Sequence, residues 1–129
     1  MFENEYTWGN AVKNEKTLEF NNNFEDAVES VKKKFGKKYP CIINGKQVFS
    51  EKTFDIRSPS DTRIILGIFP KLDELQTKEA ILAAKNAFAQ WSHMSYQERA
   101  KVFKETADEF SKIKFELAAW MSLDRKSVV

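Results

Sequence analysis

The dipeptide Asn44-Gly45 constrains this chain more than any other feature. Both residues tolerate positive φ, which a two-residue type I′ turn requires at its two central positions. The pair lies between the runs Tyr39-Pro40-Cys41-Ile42-Ile43 and Lys46-Gln47-Val48-Phe49, so the spacing predicts a β-hairpin. A second extended pair follows, Thr53 to Arg57 and Arg63 to Phe69, and the Ser58-Pro59-Ser60-Asp61 stretch between them favours a turn. Four short strands in two hairpins are expected.

Helical periodicity flanks the hairpins on both sides. Phe24, Ala27, Val28, Val31 and Phe35 recur on one face of a helix, with Asn22 and Glu25 spaced for a capping box and Gly36 placed for a left-handed C-terminal cap. Before it, Met1 to Asn21 carries Phe2, Tyr6, Trp8, Leu18 and Phe20 without sustained period, which reads as an extended arm in need of another surface. After Pro70, the stripe Leu75, Ala80, Ile81, Ala84, Ala87, Phe88 and Trp91 predicts a helix, and its alanines allow close packing against a neighbour. Ser95 and Glu98 form a capping box for the next helix, striped by Ala100, Phe103, Ala107 and Phe110. A third helix, from about Lys112 to Leu123, presents Leu117, Trp120 and Met121. Stripes of this kind are ordinary core.

Several function classes are excluded by what is missing. The four glycines, Gly9, Gly36, Gly45 and Gly67, lie too far apart to write either G-x-G-x-x-G or G-x-x-x-x-G-K-[ST]. A single histidine, His93, leaves no H-E-x-x-H pair, and a single cysteine, Cys41, leaves no internal disulfide framework or Cys-cluster zinc site. Cys41 reads as a structural thiol buried in a strand in preference to a nucleophile, because no histidine or basic residue adjoins it in sequence. His93 reads as a solvated or capping residue at a helix junction in preference to a catalytic base. Lys32, Lys33, Lys34, Lys37 and Lys38 gather where a helix C-terminus favours cations. A nucleic-acid patch would need more basic surface than a net charge of +2 supplies. No apolar run approaches the roughly 20 residues of a membrane span, and the expectation is a cytoplasmic protein without nucleic-acid or membrane partners. From the chemistry of the residues alone, the expected site list is empty: no catalytic, cofactor-binding or metal-binding residue is assigned.

Four phrases carry a resemblance to a known family. They are FGKKYPCIINGKQV (35–48), FDIRSPSDTRIILGIFPK (54–71), AILAAKNAFAQWSHMSYQERAKVF (80–103) and KFELAAWMSL (114–123). In this order they resemble the N-terminal region of aldehyde dehydrogenases, and in particular the 1-pyrroline-5-carboxylate (L-glutamate γ-semialdehyde) dehydrogenase branch, in which a leading helix precedes a Y-P-x-x-I-N-G hairpin. The resemblance covers about 100 of the 129 residues. It implies an α/β parent, of which this chain holds an α+β portion: a leading helix, two short β-hairpins and three C-terminal helices, without most of the parallel sheet. It further implies an enzyme that attacks an aldehyde with a cysteine thiolate, passes hydride to NAD or NADP, and uses a glutamate to activate water. Those groups lie downstream of everything matched. Cys41 falls on a hairpin strand of the family and not on its nucleophile.

The expected organisation is therefore an extended arm over 1–21, the N-terminal part of a cofactor-binding domain over 22–123, and a tail over 124–129. The family continues past its last helix into an acidic residue and a Gly-Lys pair, whereas this chain reads Asp124-Arg125-Lys126-Ser127-Val128-Val129. That ending is also the in-frame translation of GAT CGG AAG AGC GTC GTG, the start of a common sequencing adapter, so the tail is expected to be non-native. The implied function is the N-terminal fragment of an NAD(P)-dependent dehydrogenase that oxidises L-glutamate γ-semialdehyde to glutamate in proline degradation. The fragment is expected to be inactive and to bind no cofactor, and the parent to be a homo-oligomer acting on a small aldehyde. The alternatives are an aldehyde dehydrogenase of different substrate and a non-catalytic α+β interaction module.

Overall fold

The computed structural model describes residues 7–124. The expected tail lies, beyond Asp124, outside the described residues, as do the first six residues of the expected arm. Between these limits the chain forms five helices and two small antiparallel sheets, the α+β composition the sequence implies.

The described part of the arm, from Thr7 on, is largely helical, which corrects the extended reading for those residues. Helix α1 spans Trp8–Lys13, with the Thr7 hydroxyl accepting from the Asn10 backbone at 3.2 Å. Glu15, at φ 56°, turns the chain into α2, Thr17–Lys32. Asn22 therefore sits inside a helix and caps nothing. Aromatic edges hold this extension in place: the Trp8 and Phe20 rings lie 5.6 Å apart, and Phe20 meets Phe115 at 5.1 Å. Contacts of such sequence separation leave no trace in local periodicity. The arm thus finds its surface on its own chain.

Helix α2 ends at Lys32, before Phe35, in tightened turns through Lys34 and Phe35. The C-cap is Lys33, so the expected Gly36 cap is corrected: Gly36 has φ 69° in the turn after the helix, and its N–H donates not to a helix carbonyl but to the Ile65 carbonyl at 2.8 Å. The helix end is thereby fastened to the second sheet. Strands β1 (Cys41–Ile43) and β2 (Lys46–Val48) pair across Asn44 and Gly45, at φ 50° and 73°. The positive angles at both central positions are those of the expected type I′ turn.

Strands β3 (Thr53–Arg57) and β4 (Ile65–Pro70) form the second hairpin, with a register shift opposite the Ile56–Arg57 step. On its other side β4 exchanges hydrogen bonds with the incoming chain: Tyr39 N–H donates to Ile68 O at 2.9 Å and Ile68 N–H to Lys37 O at 3.0 Å. This isolated parallel bridge is the parallel pairing found among the described residues.

Helix α3 (Glu74–His93) starts on a capping box of Asp73 and Gln76 that periodicity alone did not reveal. Helix α4 (Tyr96–Lys112) starts on the expected Ser95–Glu98 box. Helix α5 (Lys114–Asp124) returns along α2. Ser58, buried in the β3–β4 turn, donates its hydroxyl to the Leu123 carbonyl at 2.8 Å, which satisfies one of the carbonyls a helix end leaves open.

The main core is small and lies at α2, α5 and β4, where Val31, Ala119 and Leu66 are buried, and Ala11 of α1 is buried as well. Helices α3 and α4 contribute no buried residue. Their apolar faces stay open: Phe88 is 65% exposed, Phe103 67% and Phe110 54%. Trp91 meets Phe103 edge-on at 6.3 Å. No helix among the described residues is long and apolar enough to cross a membrane.

Candidate functional site

The C-terminal end of α2, strand β4 and helix α5 enclose one mainly apolar groove of about 560 Å³. Its floor is Leu66, Gly67 and Phe69 of β4 with Tyr39, and its far wall is Trp120 and Met121 of α5. Alternation along β4 sends Phe69 and Gly67 to the same face. A methyl added at Gly67 would stand 3.0 Å from the Phe69 ring and 3.2 Å from that of Tyr39. Glycine there lets the two rings lie against the strand without giving way, and Tyr39 and Phe69 stack at 5.5 Å with Phe54 on Phe69 at 5.9 Å.

Charge enters at the rim. Lys34 Nζ lies 2.5 Å from Glu116 Oε1, and the same oxygen accepts from Trp120 Nε1 at 3.4 Å. The Lys34 ammonium, through its hydrogen bond, holds the Glu116 carboxyl below the usual carboxylate range, against a smaller opposing effect of desolvation. Lys37 Nζ sits 5.6 Å from the centre of the Tyr39 ring. Part of the lysine cluster thus does more than terminate a helix, since Lys34 pins α2 to α5. No sequence signal could have found that pair, because 82 positions separate its members.

The ionisable side chains on the groove's lining are Lys34, Lys37, Tyr39, Glu116 and Asp124, and Cys41 and His93 are not among them. Cys41 lies on β1 in the other hairpin and is half-buried, not buried as expected. The reason is that β1 pairs only with β2 in a two-stranded sheet, so one flank is open. His93 closes α3 with Nδ1 2.6 Å from the Ala89 carbonyl, the capping role that was one of its two expected readings. Among the described residues no three His, Cys, Asp or Glu side chains gather as a metal site. As built, the groove offers an apolar binding surface with a charged rim.

An early hairpin pair tied to a leading helix is followed by three helices, of which α3 and α4 bear open apolar faces. Residues 47–128, more than half of the sequence, match the aldehyde dehydrogenase family. The chain belongs to that family.

Its relatives narrow the comparison. It is 33% identical over 101 residues to a 1-pyrroline-5-carboxylate dehydrogenase of Oceanobacillus iheyensis, covering 78% of this chain and 20% of that protein. It is also 33% identical over 96 residues to 1-pyrroline-5-carboxylate dehydrogenase 2 of Bacillus subtilis, covering 74% and 19%. Among solved structures it resembles a Thermus thermophilus 1-pyrroline-5-carboxylate dehydrogenase with TM-score 0.77 and 26% identity, over 81% of this chain and 20% of that one. Proline utilization A of Bdellovibrio bacteriovorus matches with TM-score 0.77 and 27% identity, over 92% of this chain and 12% of that one. The chain spans about a fifth of the length of the curated relatives it matches, over their N-terminal region.

Proposed function

We propose that the chain is the N-terminal part of a cytoplasmic NAD(P)-dependent dehydrogenase that oxidises L-glutamate γ-semialdehyde, the open form of 1-pyrroline-5-carboxylate, to glutamate in proline degradation. The observation that carries this reading is the joint agreement of sequence and fold with dehydrogenases of that one name, at 33% identity and at TM-score 0.77. A Thermus relative of the same name has been solved with bound NAD, which supports a nicotinamide cofactor for the parent.

The residues described here do not fit that cofactor. A dinucleotide phosphate needs closely spaced glycines at a helix start. Gly9 lies within α1, Gly36 and Gly45 in separate turns, and Gly67 in β4 under two rings. This reading places NAD or NADP, the small aldehyde and the catalytic groups in the remainder of the parent. The part of residues 7–124 is then architectural. On this reading 1–21 is the N-terminal arm, 22–123 is the N-terminal part of the cofactor-binding domain, and the parent is a homo-oligomer.

The test is to read the source DNA across the codons for Leu123 onward, then express the whole frame. A frame that continues into a cysteine nucleophile, with NAD(P)-dependent oxidation of 1-pyrroline-5-carboxylate preferred over other aldehydes, is the expected result. The 129-residue chain alone is expected to show no turnover. A stop after Val129 in the source DNA overturns the reading, and a preference for another aldehyde overturns the substrate.

A further inference from the structure

The Asn44-Gly45 turn carries chemistry as well as shape. An asparagine followed by glycine can lose its side-chain amide to attack by the glycine nitrogen, because no side chain on the second residue stands in the way. Asn44 is the one asparagine of this chain with glycine after it. Both residues are exposed at the tip of the β1–β2 hairpin. Ile43 and Lys46 are the last residues paired across the turn, so the ladder ends on them and uses neither central amide.

The closed turn holds the reacting atoms apart. Asn44 has φ 50°, and a type I′ turn sets ψ at this position to roughly +30°. That angle directs the Gly45 nitrogen away from Cβ, and therefore away from Cγ. Ring closure requires the peptide plane to swing to the Cβ side, which the turn permits only when it opens. This hairpin opens at low cost. Its strands are three residues each and pair with each other alone among the described residues. Ile42 and Phe49 are 64% and 57% exposed, and the Phe49 carbonyl accepts from Gln76 Nε2 at a long 3.4 Å. A two-stranded hairpin by itself is marginal in water.

We propose that Asn44 is a deamidation site of this chain, gated by opening of the β1–β2 hairpin. A bond forms between Gly45 N and Asn44 Cγ, the Cγ–Nδ2 bond breaks, and Nδ2 leaves as ammonia with the proton of the Gly45 amide. The product is a five-membered succinimide, which water then opens. Addition at Cγ gives aspartate. Addition at the backbone carbonyl of residue 44 gives isoaspartate, whose main chain runs through Cβ and Cγ. The two products differ in what they can refold into. Asp-Gly supports a type I′ turn as Asn-Gly does, so the aspartate form regains the hairpin. The isoaspartate form has one more main-chain carbon in a turn whose length fixes the register, so it cannot close the same turn. Isoaspartate formation is thus an irreversible exit from the β1–β2 pairing. This inference rests on the turn and is independent of the enzymatic reading.

Incubation of the full 129-residue chain at neutral and at mildly alkaline pH, in native buffer and in concentrated urea, tests it. The tryptic peptide over 39–46 is read by mass and by electron-transfer fragmentation, which separates isoaspartate from aspartate. Conversion is expected at Asn44 ahead of every other asparagine, and faster as pH rises, because the Gly45 amide must give up its proton. In native buffer it is expected to run about tenfold or more slower than in urea, the ratio reporting the opening equilibrium. Val48→Ala trims the residue paired with Cys41. It is expected to speed the native reaction about two- to fivefold and to leave the rate in urea unaltered. An Asn44 that keeps its amide in native buffer after the urea sample has converted overturns the site, as does earlier conversion at another asparagine. Equal rates in native buffer and urea, or a native rate indifferent to Val48→Ala, overturn the gate. If Val48→Ala loses its helical circular dichroism, Ile42→Ala on the exposed side of β1 takes its place with the same expected outcome.

Discussion

Replacing Val31 by alanine tests where this chain keeps its stability. Val31 has no accessible surface, and it lies on α2, which packs along α5, where Ala119 is equally enclosed. The substitution removes two methyl-sized groups from water-free packing, at about 0.8 kcal/mol each. The void they leave adds a cavity cost, for a total of about 2 kcal/mol. At 1.4 kcal/mol per decade, that is about a 30-fold increase in the opening equilibrium of the amides in α2 and α5. Native-state hydrogen exchange reads this helix by helix. Leu82→Ala on α3 is the control: Leu82 is 56% exposed, so its loss is expected to stay within about 0.5 kcal/mol. Slower exchange is expected in α2 and α5 than in α3 and α4 of the unaltered chain. Equal effects of the two substitutions, or equal protection of all four helices, would refute a main core at α2, α5 and β4.

Two further outcomes follow from the groove. Gly67→Ala is expected to destabilise the β3–β4 hairpin by about 1–3 kcal/mol, since the Phe69 ring that the new methyl meets at 3.0 Å is held between Tyr39 and Phe54; urea unfolding measures it, and an unchanged midpoint counts against the stacked arrangement. The lowered Glu116 pKa means that the Lys34–Glu116 contact stabilises the fold in full above its ordinary value of 4.5 and is lost as pH falls through the lowered one. Glu116→Gln should therefore flatten that acid limb of the melting temperature. With side chains 36% and 37% exposed, the effect after solvent screening is no more than about 1 kcal/mol, and an unaltered limb would refute the assignment.

What was legible in the sequence was local chemistry. Asn44-Gly45 can satisfy two positive φ angles in succession and Ser95 and Glu98 can cap each other, so these features stand where the pattern put them, whereas Gly36 keeps its positive φ but lies beyond the helix, whose C-cap is Lys33, and does not cap it. The misreadings lie where distant residues decide. The described part of the arm is helical because Phe20 reaches Phe115 and Trp8 reaches Phe20, and neither contact has a periodicity. Cys41 is half-buried because the hairpin that carries it has no third strand, a property of topology and not of residue type. The groove was invisible for the same reason: its floor comes from β4 and its wall from α5, about 50 residues apart in sequence.

The open faces of α3 and α4 bear on the same question from the side of energy. Burying one large apolar side chain contributes about 1.5–3 kcal/mol. Phe88, Phe103 and Phe110 together therefore represent an amount comparable with the roughly 5–15 kcal/mol net stability of a whole domain. Helices capped as firmly as these, with Asp73–Gln76 and Ser95–Glu98 boxes both complete, are locally well specified yet globally unpartnered. Trp120 shows the contrast: it stands 6.3 Å from Phe35, hydrogen-bonds Glu116 and is half-buried, whereas Phe103, although it meets Trp91, stays 67% exposed. Local specification without burial is what a segment shaped for a larger body would display, and it agrees with a chain that spans about a fifth of its relatives.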